Sequence, residues 1–246
     1  EGWGTSFCWW PNRIGYLDEL SEQAAKLFFD PKEGLGLNII RYNIGGGDDP
    51  THHHITRTDS MVPGYAINPS HDANGYHWSY DWNADQNQRN VLMKVAECYG
   101  KDLIVEGFSN SPPYFMTNSG CSSGSVNAGE NNLREDAYGA FASYLADVAQ
   151  HFSKEWGIHF QSMTAMNEPD TEYWHALSDK QEGCHFDPGE SQSVMIIALR
   201  EALDERGLND ILISGTDETG IDCQINSINS LSEVARETIA RIDTHS

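Results

Sequence analysis

Short apolar segments alternate with longer amphipathic segments along this sequence, and this order limits the folds open to it. Five helical segments are indicated, at 17–29, 86–99, 134–152, 187–206 and about 226–240. The six short segments have lengths typical of strands buried on both faces. They cover residues 5–9, 38–44, 103–108, 162–166, 211–214 and 242–245. Strands that alternate with helices predict a parallel sheet and the α/β class.

Two of the helical segments carry specific signals. The segment 134–152 repeats apolar side chains on one helical face, namely Ala137, Phe141, Tyr144, Leu145, Val148 and Phe152. The segment 187–206 begins with Asp187 at a predicted N-cap and Glu190 at the reciprocal capping position. Gly157 follows a helix, where glycine permits a left-handed C-terminal turn.

The connections between these elements are unequal in length. Loops from helix to strand are short, whereas three loops from strand to helix are long, at 45–83, 109–132 and 168–187. In a (β/α)8 TIM barrel such loops gather at the face that carries the active site. We predict an incomplete barrel of this kind, with about the first six strands and one domain over residues 1–246. A doubly wound sheet is the alternative, but no GxGxxG follows the first strand.

The charge of the chain limits its partners. The sequence has 37 acidic residues against 15 Lys and Arg, a formal net charge of −22, with 39% hydrophobic and 11% aromatic residues. Such a surface disfavours nucleic acid and anionic membranes, so a neutral partner is easiest to accommodate. No apolar run is long enough for membrane insertion. The five cysteines form no CxxC motif, and we expect free thiols, with one or two disulfides left open.

The sharpest chemical signal follows the fourth predicted strand. Asn167 and Glu168 lie there, and Pro169 ends the strand. A carboxyl group at a barrel mouth can donate a proton to a leaving oxygen when its environment favours the acid form. The alternative is a solvated loop glutamate.

The second predicted strand carries Arg41 among apolar residues and ends in a glycine triplet. A buried arginine needs a carboxylate partner, so Arg41 either supports catalytic carboxylates or forms a structural ion pair. The triplet lacks the Lys or Ser/Thr of a phosphate loop. We interpret it as a close-packed turn that presents Asp48 and Asp49.

Further candidates follow the other strands on the same face. Ser109 and Asn110 begin a proline-fixed loop with aromatic residues, a mixture that binds sugars or forms an ordinary turn. Glu218, after Asp217, and His245 are candidates on the fifth and sixth strands. Tryptophans such as Trp174 either stack on sugars or pack in the core.

His52, His53 and His54 are consecutive and cannot all face one point. No HExxH motif occurs, so we favour surface loop histidines over a metal site and expect no metal and no cofactor. The alternative is a metal-dependent hydrolase that uses this loop with Asp48 or Asp49.

Taken together, five segments resemble glycoside hydrolase family 30, which comprises retaining enzymes on a (β/α)8 barrel with an attached β-sandwich. The matching segments, in family order, are 2–6, 38–48, 109–114, 167–169 and 243–245. The stretches 2–10 and 38–58 are most similar to the subfamily that contains endo-β-1,6-galactanases.

The resemblance implies a role for each matching residue. Glu168 matches the general acid/base and Asn167 the residue that binds the sugar 2-hydroxyl. Arg41 and His245 match residues that support the nucleophile. The remaining matches are to residues that line the −1 sugar subsite, with Asp48 the clearest of them, followed by Ser109 and Asn110.

The family nucleophile is a glutamate on a seventh barrel strand, which we expect to lie outside these 246 residues together with the β-sandwich. The chain alone is therefore expected to be inactive and unstable, because an unclosed barrel leaves open strand edges. The resemblance implies a secreted, cell-surface or periplasmic enzyme that cleaves a neutral β-linked polysaccharide. Two alternatives remain: a non-catalytic carbohydrate-binding or pseudoenzyme barrel, and a member acting on a glucan, xylan or glucosylceramide. The oligomeric state is left open.

Overall fold

The computed structural model describes residues 2–245, so both ends of the predicted domain, Glu1 and Ser246, lie outside the described residues. A curved sheet of six parallel strands dominates the fold, in the order β1-β2-β5-β6-β7-β8. A separate antiparallel pair consists of β3 and β4. The strands are β1 (Gly4–Ser6), β2 (Ile39–Asn43), β3 (Ala66–Asp72), β4 (Gly75–Tyr80), β5 (Ile104–Phe108), β6 (Ser162–Thr164), β7 (Leu212–Glu218) and β8 (Ile239–Thr244).

Helices connect the strands of the parallel sheet, and the predicted incomplete (β/α)8 barrel of the α/β class is confirmed. The helices are α1 (Trp10–Ile14), α2 (Asp18–Phe29), α3 (Gln86–Tyr99), α4 (Tyr138–Trp156), α5 (Glu190–Glu205), α6 (Ile221–Ser230) and α7 (Glu233–Thr238). Strands β1 and β8 form the two edges of the described sheet.

Helix α4 packs its predicted apolar face into the core. The six side chains of that face, Ala137 to Phe152, are fully buried. Aromatic rings fill the space between α4 and the sheet, where Tyr42 and Phe152 meet edge to face at 5.2 Å between centroids. Gly157 ends the helix with φ +67°, a conformation that costs glycine no steric strain.

Three sequence-based expectations for the helices and loops are wrong in detail. The single helix at 226–240 is two helices, α6 and α7, because the Ser232 hydroxyl accepts a hydrogen bond from Ala235 N at 3.2 Å and starts a new helix. Helix α5 begins after Gly189 without a side-chain cap. The Asp187 carboxylate instead accepts a hydrogen bond from the Asn131 amide at 2.7 Å.

The long segment 45–83, predicted as a loop, contains the β3–β4 hairpin. The sequence carried a signal for it, since Asn74-Gly75 is a dipeptide typical of hairpins, and the chain turns at Ala73 and Asn74. All five cysteines are free thiols. Within residues 2–245, none of the helices combines the length and the apolar character that a membrane crossing requires.

Candidate active site

Glu168 lies just beyond the C-terminal end of β6, at the mouth of the curved sheet. Its backbone adopts φ +47°, which non-glycine residues seldom adopt. The Glu168 amide donates to the carbonyl of Asp217 at 2.8 Å, which ties this turn to the end of β7. Strained backbone of this kind persists when surrounding contacts fix it, and it is common at functional sites.

Two side chains meet the Glu168 carboxylate. The Tyr173 hydroxyl donates to Oε2 at 2.6 Å, and Nδ1 of His245 lies 3.4 Å from Oε1. The carboxylate remains about one-fifth exposed, so it is open to a ligand while its position is fixed. Burial and the hydrogen bond to Glu168 raise the pKa of Tyr173, which keeps the hydroxyl a donor.

The carbonyl oxygen of Glu168 is held as firmly as its side chain. It accepts hydrogen bonds from Nε1 of Trp174 at 3.0 Å and from the Thr171 hydroxyl at 2.9 Å. Trp174 is only 6% exposed, and its ring packs against Gly183. Trp174 is thus a buried support of the Glu168 turn rather than an exposed surface for sugar stacking.

Arg41 links three strands below Glu168. Its guanidinium donates to the carboxylate of Asp217 and, at 3.1 Å, to the amide oxygen of Asn167. The same group lies 3.4 Å from the ring centroid of Phe108 and 3.7 Å from the Glu106 carboxylate. The predicted carboxylate partner of Arg41 is therefore present twice, and the bond to Asn167 fixes the residue next to Glu168.

A layer of charged residues lies deeper in the curved sheet. Glu106 is paired with Arg241 at 3.1 Å and accepts a hydrogen bond from the Ser162 hydroxyl at 3.2 Å. Burial, reinforced by the charge of Asp243, raises the pKa of Glu106 to about 7. Burial also raises the pKa of Asp243. This layer combines two carboxyl groups with two arginines and supports the mouth from beneath.

His245 bridges two carboxylates across the mouth. Its Nε2 lies 3.3 Å from the Asp217 carboxylate and its Nδ1 faces Glu168. Its backbone amide donates to the backbone carbonyl of Glu218 at 2.8 Å. The hydrogen bond to Asp217 raises the pKa of His245, although burial opposes the shift. The imidazole is therefore suited to be positively charged at its place between the two carboxylates.

Some of these groups border a cavity on the inner face of the sheet. The cavity has a volume of about 640 Å³ and is lined by residues of β1, β2, β5, β7 and β8, including Arg41, Glu106, Asp217 and His245. It is large enough for a sugar unit, and charged groups from four strands line it. A carboxyl group at the mouth of a barrel, with orienting neighbours, is able to transfer protons to a bound ligand.

A family model and two relatives identify the protein family of this chain. The model of O-glycosyl hydrolase family 30 matches residues 3–230. The chain belongs to this family. It is 37% identical to an endo-beta-1,6-galactanase of Hypocrea rufa over 264 aligned residues, which cover 100% of this chain and 52% of the relative. It is 26% identical to an exo-beta-1,6-galactobiohydrolase of Bifidobacterium longum subsp. longum, covering 100% of this chain and 22% of that protein.

A solved structure of the family shares the fold. The catalytic domain of the family 30 xylanase C from Talaromyces cellulolyticus superposes with a TM-score of 0.75 at 22% identity. The match covers 100% of this chain and 53% of the xylanase chain. The chain thus spans about half the length of the first curated relative it matches.

Two predicted site residues of this family 30 chain do not contact the Glu168 carboxylate. Glu218 is fully buried, and its carboxylate accepts hydrogen bonds from Gln192 at 3.0 Å and Ser227 at 2.6 Å, on helices α5 and α6. Burial raises its pKa. Asp49 accepts hydrogen bonds from the amide and hydroxyl of Thr51, which lower its pKa and form a local turn.

Three predicted site residues remain, namely Asp48, Ser109 and Asn110. The predicted close packing of the glycine turn before Asp48 is present, since a Cβ at Gly46 would lie 2.5 Å from the carbonyl oxygens of Ser111 and Pro112. Asp48 borders a second cavity of about 690 Å³. Ser109 donates to the Ser111 carbonyl at 2.9 Å. The side-chain nitrogen of Asn110 is buried without a hydrogen-bond partner among residues 2–245, so it remains a free donor.

The sequence interpretation missed Tyr173, which makes the shortest contact to Glu168. Its signal was the position five residues after Glu168 in a loop predicted to border the site. Glu106 lies in the third predicted strand and was not singled out from the sequence. Its pairing with Arg41 requires the register of β2 against β5, where the two residues are direct neighbours.

Proposed function

We propose that this chain is the first part of the catalytic barrel of a retaining glycosidase that cleaves β-1,6-linked galactan. The observation that carries the proposal is the Glu168 carboxylate, fixed at the barrel mouth between Tyr173 and His245. Membership of family 30 supports the reaction class, and the two galactan-cleaving relatives support the substrate.

In this mechanism Glu168 acts twice. It first protonates the departing glycosidic oxygen while a second carboxylate attacks the anomeric carbon, and then takes a proton from the water that releases the sugar. The attacking glutamate is expected on a seventh barrel strand, outside these 246 residues. Retention requires the two carboxyl groups to lie about 5–5.5 Å apart, whereas an inverting enzyme would separate them by about 6.5–9.5 Å.

The neighbours of Glu168 have supporting roles in the proposal. Asn167, oriented by Arg41, donates its amide hydrogens to the sugar 2-hydroxyl. Asp217 and His245 are charged groups beside the expected position of the nucleophile. Asn110 offers a buried donor to the −1 sugar. Asp48 and Ser109 are assigned to this subsite on the resemblance alone.

The substrate class follows from charge and family. A chain with a net charge of −22 repels polyuronates and accommodates a neutral polysaccharide more easily. Polysaccharides of this kind lie outside cells, so we assign the enzyme to the secreted, cell-surface or periplasmic fraction. No group on the proposed pathway requires an organic cofactor.

The experiment uses the complete gene product that contains this sequence. Purified protein is incubated with β-1,6-linked galactan, and released sugar is followed by proton NMR to identify the first anomer. Wild type is expected to release the β-anomer first, and Glu168→Gln is expected to lose at least about 100-fold in kcat. Glu172→Gln is the matched control, because Glu172 is an exposed glutamate of the same loop.

Each other outcome rejects a defined part of the proposal. If Glu168→Gln retains wild-type activity, Glu168 is not the acid/base. Release of the α-anomer first would indicate inversion. Cleavage of a β-glucan or a xylan, but not of galactan, rejects only the proposed substrate. Binding of galactan without cleavage indicates a carbohydrate-binding barrel.

A further inference from the structure

A group of side chains that can ligate a metal lies outside the Glu168 mouth. Asp48, His52, His54 and Cys121, here called the Asp48 cluster, place one potential ligand atom each within 4.8 Å of all the others. Asp48, His52 and His54 come from the loop after β2, and Cys121 comes from the loop after β5. We propose that the Asp48 cluster binds Zn²⁺ and joins these two loops.

The distances suit a tetrahedral ion. The Asp48 carboxylate lies 3.3 Å from Nδ1 of His52 and 2.6 Å from Nε2 of His54. The sulfur of Cys121 lies 3.3 Å from the same Nε2. Zinc bonds of 2.0–2.3 Å place neighbouring ligand atoms about 3.3–3.8 Å apart, so the 2.6 Å contact must widen by about 0.7 Å.

The donor set selects zinc over the alkaline-earth ions. Two imidazoles, one thiolate and one carboxylate combine nitrogen, sulfur and oxygen, whereas Ca²⁺ and Mg²⁺ prefer oxygen alone. A divalent ion also balances the charges of the carboxylate of Asp48 and the thiolate of Cys121. Cys121 is 1% exposed and the other three side chains are partly buried, so the ion would be largely shielded from water.

The surroundings orient the ligand atoms toward one point. Nδ1 of His54 lies 2.6 Å from the carbonyl of Ser178, which can only accept, so Nδ1 carries the proton and donates. In the neutral ring Nε2 then directs a lone pair at the Asp48 carboxylate. A lone pair facing a carboxylate at 2.6 Å is repulsive unless a cation or a second proton lies between them.

Two backbone amides donate to the anionic members of the cluster, as metal-bound anions require. The Ser122 amide donates to Asp48 Oδ1 at 3.0 Å, and the Leu177 amide donates to the Cys121 sulfur at 3.4 Å. Ligating carboxylates and thiolates are commonly held by such second-layer hydrogen bonds. Four protein ligands fill a tetrahedral site, which indicates a structural rather than a catalytic ion.

Zinc ligation by Asp48 replaces the −1 subsite role that the resemblance implies for this residue, and the site is tested separately from the glycosidase activity. Complete gene product without an affinity tag is dialysed and its zinc content is measured by mass spectrometry. Wild type and His53→Ala are expected to retain one zinc per chain. His53 is the matched control, because it is exposed between the two ligating histidines. Cys121→Ser and His54→Ala are expected to bind zinc at least about tenfold more weakly.

Cobalt substitution gives a readout that needs no variant to fold. Co²⁺ added to metal-free wild type should produce a near-ultraviolet cobalt–thiolate band, which Zn²⁺ then displaces. Absence of retained zinc together with absence of this band overturns the proposal and leaves a hydrogen-bonded cluster with a doubly protonated His54. Wild-type zinc affinity in a folded Cys121→Ser variant overturns the ligand assignment.

Discussion

The hydroxyl of Tyr173 donates a hydrogen bond to the carboxylate of Glu168 at 2.6 Å, from an exposed loop position five residues away. A bond of this length to a charged acceptor restricts the carboxylate to one orientation. The Trp174 and Thr171 bonds to the Glu168 carbonyl fix the backbone of the same turn. Three residues of one short loop, Thr171, Tyr173 and Trp174, therefore orient Glu168 together.

Removal of the Tyr173 hydroxyl should reduce proton donation without unfolding the protein. We expect Tyr173→Phe to lower kcat/KM on galactan about 10–100-fold, since a hydrogen bond to a charged group contributes about 1.5–3 kcal/mol. A nitrophenyl galactoside needs little help from an acid, so its cleavage should change much less. Equal losses on both substrates would contradict an orienting role toward Glu168.

Loss of the Arg41 guanidinium should be strongly destabilising. Arg41→Met leaves the buried Asp217 carboxylate without this partner, and breaking a buried pair costs about 3–5 kcal/mol. The midpoint of urea unfolding measures the effect. Arg13→Met is the control, because Arg13 is two-thirds exposed and Asp59 keeps Arg57, so its unfolding midpoint should stay close to that of wild type. Similar midpoints for both variants would argue against a buried network.

His245 should stabilise the fold most at acidic pH. Its folded-state pKa is raised by Asp217, so its contribution is complete below its unfolded pKa of about 6.5 and is lost as the pH rises through the folded value. Its imidazole is one-third exposed, which limits the effect to about 1 kcal/mol. Urea midpoints of wild type and His245→Gln should differ at about pH 5.5 and converge near pH 9. A constant difference would exclude this linkage.

A methyl group at Gly183 should disturb the Glu168 turn through Trp174. A Cβ there would lie 2.1 Å from the indole ring, so the ring must move. We expect Gly183→Ala to cost about 1–3 kcal/mol and to lower kcat/KM. Gly139→Ala is the opposite case, because no atom lies within 4 Å of its Cβ position in α4 and alanine favours a helix by about 1 kcal/mol. Thermal unfolding of both variants tests the contrast, and a stabilised Gly183→Ala would refute it.

The sequence by itself determined the order of the six parallel strands and the residues at their ends. The apolar face of α4 and the position of Glu168 after β6 follow from periodicity and from one proline, which act over a few residues. Arg41 was recognisable because an arginine inside an apolar strand requires an acidic partner. Membership of family 30 was readable because its motifs are short and keep their order.

Only the tertiary structure decided which distant side chains meet. Asp217 and Glu218 are adjacent in sequence, yet one joins Arg41 inside the sheet and the other contacts helices α5 and α6. Asp217 has φ +64° and lies at a bulge of β7 against β8, so the irregular backbone at the end of the strand assigns each side chain to one environment. Cys121 and His54, 67 positions apart, approach only because two long loops pack together. Local patterns carry no record of such long-range contacts.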